Sequence, residues 1–220
     1  MQVLKINFNG NPNIGLYGLA TDKYCLVGHD VSSSTITRMK EILRVPVHKC
    51  YMAGTELIGA LCVANSEILL VPEIIREEEL HELDKLKIKY AVLKTKMTAL
   101  GNNILLKEDV AMISPNFGSD IIEQLKNLKI NAQKGSIAKS ITTGSCAVIG
   151  RGGGIAHRDA SDYEIKKMEK IFNVELDIGT VNLGNPYLGS GIIANSKGLL
   201  VGDLTSGYEI LRIESSLKEK

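Results

Sequence analysis

The residues of this chain that could perform chemistry are its cysteines and histidines. The cysteines are Cys25, Cys50, Cys62 and Cys146. Each lies in an apolar run and no two form a C-x-x-C pair, so the spacing predicts buried, reduced thiols in a cytoplasmic protein. The histidines are His29, His48, His81 and His157. None has H-E-x-x-H or paired-ligand spacing, so we predict no metal site.

Two short motifs resemble catalytic motifs but lack the partners that catalysis needs. Residues 151–154 (RGGG) lack both the G-x-G-x-x-G entry into a helix and the G-K-[ST] of a P-loop. The triplet His157-Arg158-Asp159 occurs in kinase catalytic loops, but the asparagine and the D-F-G motif that accompany it there are missing. We therefore predict no catalytic residue and no cofactor. The glycines are assigned to a hairpin turn, where glycine permits a positive φ.

An internal repeat organises the elements that would position any site. Five similar hexapeptides follow one another: CLVGHD, LLVPEI, MISPNF, IAHRDA and LLVGDL. Their third residues are Val27, Val71, Ser114, His157 and Val201, so the steps between them are 44, 43, 43 and 44 residues. Such even spacing predicts five copies of one structural unit.

Each copy begins with a glycine before its first strand. These glycines are Gly15, Gly59, Gly101, Gly144 and Gly189. A turn and a second strand follow, and then a helix with apolar residues at helical spacing, such as Ile121, Leu125 and Leu128. The expected N-caps of three helices are Ser119, Ser161 and Ser206. Third strands begin at Val45, Ile88, Ile130 and Val174. The predicted unit is β-β-α-β.

The fifth unit has no third strand of its own, whereas residues 3–7 belong to no unit. The simplest arrangement uses this N-terminal strand to complete unit five, which closes the ring and removes exposed sheet edges. We thus predict an α/β fold, a five-unit β/α propeller with pseudo-fivefold symmetry. It forms a single domain over residues 1–220. The expected repeats are 13–54, 55–98, 99–141, 142–185, and 186–217 together with 2–8.

Polar and charged residues recur at defined places in the repeat. A polar residue stands two positions after the third residue of each hexapeptide: His29, Glu73, Asn116, Asp159 and Asp203. In a closed ring they could form an axial collar that holds a cation or water, or they could be helix-entry residues near helix N-termini. The run Glu77-Glu78-Glu79 is interpreted as a solvated helix start. Lysines alternate along the predicted strand that follows: Lys85, Lys87, Lys89, Lys94 and Lys96. They either protect a solvated edge strand from pairing with other chains or make a local RNA contact.

Composition restricts the class of partner. The chain has 26 basic and 25 acidic residues, a net charge of +1. Binding nucleic acid through many phosphates usually requires a clear basic excess, so a protein partner, with at most a small RNA contact beside it, fits better. The N-terminal residues lack the basic start and apolar segment of a signal peptide, and no apolar stretch is long enough to span a membrane. We expect a cytoplasmic protein with no membrane partner.

Several blocks together resemble the translation initiation factor 6 family of archaea and eukaryotes. They are IGLYGLATDKYCLVG, AGTELIGALCVANSEILLVP, TALGNNILLKEDVAMISP, and DIGTVN followed by NSKGLLV, and the likeness runs from Asn13 to about Leu217. The resemblance implies the pentein fold and a monomer that binds the large ribosomal subunit on its inter-subunit face. There it would contact mainly a ribosomal protein near the sarcin–ricin loop and sterically prevent subunit joining. A role in large-subunit biogenesis is also implied.

The alternative is a guanidine-modifying hydrolase or transferase, since penteins include such enzymes. Those use a cysteine nucleophile late in the chain, together with a histidine. Here the last cysteine is Cys146 and the last histidine is His157. The missing late cysteine argues against an enzyme.

The glycine turns should gather on one end of the ring, where glycine lets the backbone of a partner approach closely. Two of these turns carry the blocks most distinctive of the resembled family. The candidate residues for binding the large subunit are Glu56, Gly59, Ala60, Leu100, Gly101, Asn102 and Asn103. Asn102 and Asn103 offer two amides where one would suffice for folding. The surface of the helices is the competing face.

Overall fold

The computed structural model describes residues 1–218 and contains five three-stranded sheets. The first strands are β2 (Gly18–Ala20), β5 (Val63–Ala64), β8 (Ile104–Lys107), β11 (Ala147–Ile149) and β14 (Ile192–Ala194). The middle strands are β3 (Cys25–Val27), β6 (Leu69–Pro72), β9 (Val110–Ile113), β12 (Gly153–His157) and β15 (Gly198–Gly202). The third strands are β4 (Val47–Lys49), β7 (Tyr90–Leu93), β10 (Asn131–Lys134), β13 (Glu175–Gly179) and β1 (Gln2–Ile6).

In every sheet the middle strand pairs antiparallel with the first strand and parallel with the third. A long helix connects each middle strand to the third strand, except that in the fifth sheet the third strand comes from the N-terminal segment. These helices are α2 (Ser33–Leu43), α4 (Glu77–Lys85), α6 (Ser119–Asn127), α7 (Asp162–Phe172) and α9 (Gly207–Leu217). We call a sheet with its helix a blade, numbered from β2 onward. The predicted β-β-α-β unit is confirmed.

The N-terminal strand closes the ring as predicted. β1 lies parallel to β15, with Gln2 opposite Gly198 and Ile6 opposite Gly202. Ile6 is buried against Leu43 and Leu200 in an apolar cluster of blades 5 and 1. Asn7, just after the strand, donates from Nδ2 to Asp203 Oδ2 at 2.5 Å. The closure therefore rests on backbone pairing, apolar burial and a polar contact together.

The apolar core is divided into five clusters, each shared by two neighbouring blades. One cluster packs Ile68 and Leu70 of blade 2 against Ile104, Ile121 and other residues of blade 3. All four cysteines are buried within these clusters, as the sequence predicted. Because each cluster needs both of its blades, a single blade has no core of its own.

The sequence did not predict the short helical turn that precedes the first strand in four blades. These turns are α1 (Ile14–Tyr17), α3 (Ile58–Leu61), α5 (Leu100–Asn103) and α8 (Leu188–Gly191). Blade 4 has a non-helical turn at the equivalent residues 143–145. The repeated glycine is the second residue of each helical turn. A single turn is too short to show apolar periodicity, which explains why the pattern indicated only a loop.

Helix starts agree with the capping predictions in two of three cases. Ser161 accepts a hydrogen bond from Glu164 N, and Ser206 accepts one from Glu209 N. The prediction for Ser119 is wrong by one residue. Gly118 occupies the N-cap of α6 and provides no side-chain cap, while Ser119 is the first helical residue.

The RGGG motif lies at a hairpin, as the sequence predicted. The reason for glycine is a close approach of backbones and not a positive φ, because a Cβ on Gly153 would lie 2.3 Å from Ser216 O.

Glutamates in the third helical position connect neighbouring blades. Glu79 is 5% exposed, and its carboxylate accepts hydrogen bonds from Ala53 N, Gly54 N and Arg76 N. The prediction of a solvated face is therefore correct for Glu77 and Glu78 but wrong for Glu79. Its carboxylate satisfies the turn that follows the third strand of blade 1, whose residues 53 and 54 have positive φ.

Glu209 plays the same part in blade 5. Its carboxylate accepts from Ser206 N, Gly184 N and the Thr180 hydroxyl. Burial alone would raise the pKa of Glu209, but these hydrogen bonds outweigh it and leave the pKa below its ordinary value. The charged form of Glu209 therefore holds the turn after β13 against α9.

The predicted lysine strand is shorter than expected. β7 contains none of the five lysines; Lys85, Lys87 and Lys89 precede it, whereas Lys94 and Lys96 follow it. All five are exposed. β7 is an edge strand of its sheet, as the sequence indicated.

Within residues 1–218, none of the helices is long and apolar enough to cross a membrane.

Removing residues 1–8 should destabilise the protein strongly, because it deletes β1 and exposes its partner strand β15. Ile6 and Phe8 are both buried, and each such side chain contributes about 1.5–3 kcal/mol. Thermal unfolding measures the loss. The matched control is the double variant Gln2→Ala/Lys5→Ala, which changes only exposed positions of the same strand and should unfold nearly as the parent does. An unchanged melting temperature for the deletion would contradict the closure.

Replacing Glu209 by Gln should cost about 1–3 kcal/mol at neutral pH, since buried donors lose a charged acceptor. Because the folded pKa is lowered, this contribution is present above the unfolded pKa of about 4.3 and disappears as the pH falls through the folded value. Urea unfolding from pH 7 to pH 3 should show the parent and variant converging in acid. The control Glu78→Gln, at an exposed position, should have almost no effect at any pH. Equal losses of unfolding free energy in the two variants would contradict the role of the Glu209 carboxylate in holding the turn after β13.

Candidate functional site

The strand directions give the ring two distinct ends. First strands begin at the glycine turns, and middle and third strands end beside them, because the middle strand runs antiparallel to the first. We call this the glycine-turn end. The opposite end, the hairpin end, carries the turns that join first and middle strands. Long helices start at the glycine-turn end and finish at the hairpin end. First strands contact each other around the axis, as β2 contacts β5 and β5 contacts β8.

The five glycines meet around the axis at the glycine-turn end. A Cβ built on Gly59 would lie 2.0 Å from Gly15 O, and one on Gly101 would lie 1.9 Å from Gly59 O. The series continues around the ring, with Gly144 against Gly101, Gly189 against Gly144, and Gly15 against Gly189. No side chain fits between one turn and the next. Glycine is required here by the close approach of neighbouring backbones.

The candidate binding residues separate into exposed and structural members. Ala60, Leu100 and Asn103 are at most 7% exposed. Asn103 Nδ2 donates to Ala99 O at 2.8 Å, so its amide stabilises its own turn and the expectation of two surface amides is wrong. Asn102 is half-buried, and no side-chain hydrogen bond of it is seen within residues 1–218. Its carbonyl accepts from Gly144 N, which joins blades 3 and 4.

Glu56 is half-buried and links two blades. Its Oε1 accepts from Asp30 N at 2.9 Å. Its side chain also packs over Gly28, where an added Cβ would lie 2.8 Å from Glu56 Cβ. A charge reversal at Glu56 would therefore disturb the fold as well as the surface. Gly59 and Gly101 are partly exposed, but their main role is in the axial contacts.

The five collar residues lie at the glycine-turn end but are not brought together. They follow the middle strands, one strand outward from the axis. Glu73 and Asn116 line one cavity, His29 stacks on Tyr51 at 4.4 Å, Asp203 accepts from Asn7, and Asp159 faces His157 and Arg158. Across residues 1–218, no hydrogen bond or ion pair joins two of the five, and no cluster of three or more His, Cys, Asp or Glu could hold a metal ion. A shared axial role stays a prediction.

Exposed apolar side chains at the glycine-turn end were missed by the sequence reasoning. They are Tyr51, Leu57, Ile74, Ile141, Leu183, Tyr187 and Leu204. Tyr51, Ile74 and Leu204 are 42%, 50% and 49% exposed. Single exposed apolar side chains are ordinary, but a group of them at one end is typical of an interaction surface. The repeat contained the signal. Leu57 and Tyr187 both directly precede a helical turn, while Ile74 and Leu204 both follow a collar residue.

The hairpin end holds an axial cavity of about 370 Å³, lined by the tips of all five hairpins. Its charged groups are largely paired with protein. Arg151 contacts Asp22 at 3.2 Å, and Lys107 Nζ donates to Phe172 O. Asp22 Oδ1 also accepts from Ser196 N. The cavity therefore offers few free polar groups to a ligand.

Burial makes the thiols poor nucleophiles. Burial of the Cys50 thiol, with Glu82 and Glu79 nearby, raises its pKa to about 12. Burial likewise raises the pKa of Cys146, although hydroxyl groups around it act in the opposite direction. A thiol attacks as the thiolate, so a raised pKa opposes covalent catalysis. His157 is buried as well, with its Nδ1 accepting from Asp159 N and its ring edge against Tyr187.

Known structures share the fold. A crystal structure of dimethylarginine dimethylaminohydrolase, as an adduct with S-methyl-L-thiocitrulline, superposes with a TM-score of 0.52 at 11% identity, covering 75% of this chain and 67% of that one. At this identity the likeness concerns the architecture alone. It supports the five-unit pentein fold.

Sequence relatives are far closer. Translation initiation factor 6 of Pyrococcus abyssi is 34% identical, covering 99% of both chains. The factor of Saccharolobus islandicus is 37% identical over the full length of both, and that of Staphylothermus marinus is 38% identical over 99% of this chain and 98% of its own. The eIF-6 family profile matches residues 3–216. The family profile and these full-length relatives show that the chain belongs to the eIF-6 family and is a translation factor.

Proposed function

We propose that the chain binds the large ribosomal subunit on its inter-subunit face and sterically prevents association with the small subunit. It acts as a cytoplasmic monomer, makes its main contact with a ribosomal protein near the sarcin–ricin loop, and takes part in large-subunit biogenesis. No covalent step is involved. The observation that carries this proposal is the group of exposed apolar side chains at the glycine-turn end.

The composition of protein interfaces favours the glycine-turn end as the main contact. The exposed Tyr163 and Tyr208 also lie there, since they are the second residues of α7 and α9. Aromatic residues are enriched at the centres of protein interfaces, and a few such side chains dominate the binding energy. Tyr51, Leu57 and Ile74 belong to blades 1 and 2, whereas Tyr187 and Leu204 belong to blade 5, which adjoins blade 1. Leu183 lies in the turn held against α9 of blade 5 by Glu209. Six of the seven exposed apolar side chains therefore lie on or beside blades 5, 1 and 2, and Ile141, between blades 3 and 4, is the exception.

Co-sedimentation with purified subunits tests the proposal directly. The chain should sediment with large subunits and not with small subunits on a sucrose gradient. Adding it to a mixture of both at a magnesium concentration that permits joining should reduce the fraction of joined ribosomes. Equal binding to both subunits, or joining that proceeds unaffected by saturating chain, would overturn the proposal.

Changing apolar side chains at the glycine-turn end should weaken binding without unfolding the protein. For Tyr187→Ala/Leu204→Ala we expect at least about a tenfold increase in Kd, equivalent to about 1.4 kcal/mol. Asn102→Ser should have a similar effect. The matched control is Leu211→Ala, to be compared with Leu204→Ala alone; it removes the same side chain, 65% exposed, from the middle of α9. If the control abolishes binding while the first variant binds normally, the interface lies on the helices instead.

The thiol of Cys146 should matter for stability but not for binding. Cys146→Ala removes a fully buried sulfur, and we expect a loss of roughly 1 kcal/mol from the cavity that remains. Binding to large subunits at a permissive temperature should be unchanged. A folded Cys146→Ala protein that no longer binds would give the thiol a functional role, so circular dichroism must accompany the binding measurement.

A further inference from the structure

A group of lysines, four exposed and one half-buried, occupies the glycine-turn end along blades 2, 3 and 4. We call it the lysine patch, and its members are Lys94, Lys96, Lys134, Lys139 and Lys167. Lys94 and Lys96 follow β7, Lys134 ends β10, and Lys139 lies in the turn after β10. Lys167 is half-buried in the middle of α7. Strand directions place Lys94, Lys96, Lys134 and Lys139 at the same end of the ring, and the hydrogen bond from Lys167 Nζ to Lys134 O brings the Lys167 ammonium group beside them.

Contacts connect the members of the patch into one surface. Lys94 and Lys96 line a cavity of about 390 Å³ together with Phe117. Lys134 Nζ donates to Phe117 O, and Lys167 Nζ donates to Lys134 O at 3.3 Å. The backbone N–H of Lys139 contacts the carboxylate of Glu164, on the helix that carries Lys167. The five residues are therefore neighbours in space although 73 residues separate the first from the last.

Positive charge in the patch is incompletely balanced. Across residues 1–218, no salt bridge involves any of the five lysines. Glu73 and Asp120 line the same cavity as Lys94 and Lys96, and they are the acidic groups there. Glu164 accepts hydrogen bonds from the backbone and hydroxyl of Ser161 and adds a third negative charge beside the patch. Five lysines thus face three acidic groups, a local excess of cations on a chain whose net charge is only +1.

We propose that the lysine patch contacts the phosphate backbone of RNA when the chain is bound to the large subunit. The inference rests on the proposed function and divides the glycine-turn end into two surfaces. Lysine is depleted from protein–protein interfaces, so a lysine-rich surface fits a protein partner poorly. Lysine side chains are frequent contacts of phosphates, where each neutralised phosphate releases condensed counterions.

The position of the patch agrees with this division. Asn102 joins blades 3 and 4 through Gly144 and thus borders the patch, whereas most of the apolar side chains lie on blades 5, 1 and 2. Ile74 and Ile141 lie at the border of the two surfaces, since Ile74 follows Glu73 of the lysine-lined cavity and Ile141 is two residues after Lys139. The rest of the end is suited to protein on one side and to a polyanion on the other. Lys85, Lys87 and Lys89 lie near the hairpin end, so they are outside this RNA-contacting surface.

The experiment compares two triple variants that lose the same charge. Lys94→Ala/Lys96→Ala/Lys139→Ala alters the patch, and Lys85→Ala/Lys87→Ala/Lys89→Ala is its control. Every position is exposed, and each triple includes one residue with positive φ, Lys139 at 61° and Lys87 at 56°. Affinity for purified large subunits is measured at several salt concentrations. Ultraviolet crosslinking then identifies whether RNA or protein contacts the patch.

The patch triple should bind at least about tenfold more weakly at low salt. The magnitude of the slope of log affinity against log salt should decrease by about 2, because each of the three lost phosphate contacts contributes roughly 0.7–0.9. The control should keep the parent slope, and the parent's RNA crosslinks should disappear only in the patch triple. Equal slopes for both triples, with normal binding by the parent, would overturn the proposed RNA contact of the lysine patch but leave the proposed function intact. Crosslinks to protein in place of RNA would also overturn it. A parent chain that does not bind large subunits would refute the proposed function and the patch together.

Discussion

The ring depends on the contact of five backbone turns around its axis. At Gly15, Gly59, Gly101, Gly144 and Gly189 the backbone of one turn occupies the space that a Cβ of the next would need. This contact sets how closely the blades approach, and the first strands then pack against each other beside it. Apolar clusters between blades form only at that spacing. A larger residue at any of these positions would separate two blades and open the cluster between them.

Most of the architecture could be predicted from the sequence, because the repeat carries both its period and its element order. The even spacing of Val27, Val71, Ser114, His157 and Val201 predicted five units, and the unpaired strand near residue 3 predicted the closure. Single helical turns such as Ile58–Leu61 could not be predicted, since four residues show no period. The burial of Glu79 could not be predicted either, because its partners Ala53 and Gly54 belong to another blade.

The candidate site was predicted less well than the fold. The glycine turns could be predicted from the repeat, but the role of Asn103 could not. Its side chain is not a surface amide, because its Nδ2 donates a hydrogen bond to Ala99 O. Sequence spacing grouped the lysines, although the strand between them places Lys89 and Lys94 at different ends of the ring. Contacts such as Lys167 to Lys134 depend on how blades 3 and 4 meet. Surface grouping is a property of three-dimensional packing, and local pattern alone does not contain it.

Closure by the N-terminal strand has a consequence for the order of folding. Asn7 and Asp203 are 196 residues apart in the chain, yet they form a hydrogen bond within blade 5, just beyond the paired strands β1 and β15. During synthesis β1 must wait, unpaired, until β15 has left the ribosome exit tunnel. Contacts of such long sequence separation form late and slow folding. The nascent chain therefore stays an open arc, in which β1 has no partner strand, until the residues of β15 have emerged.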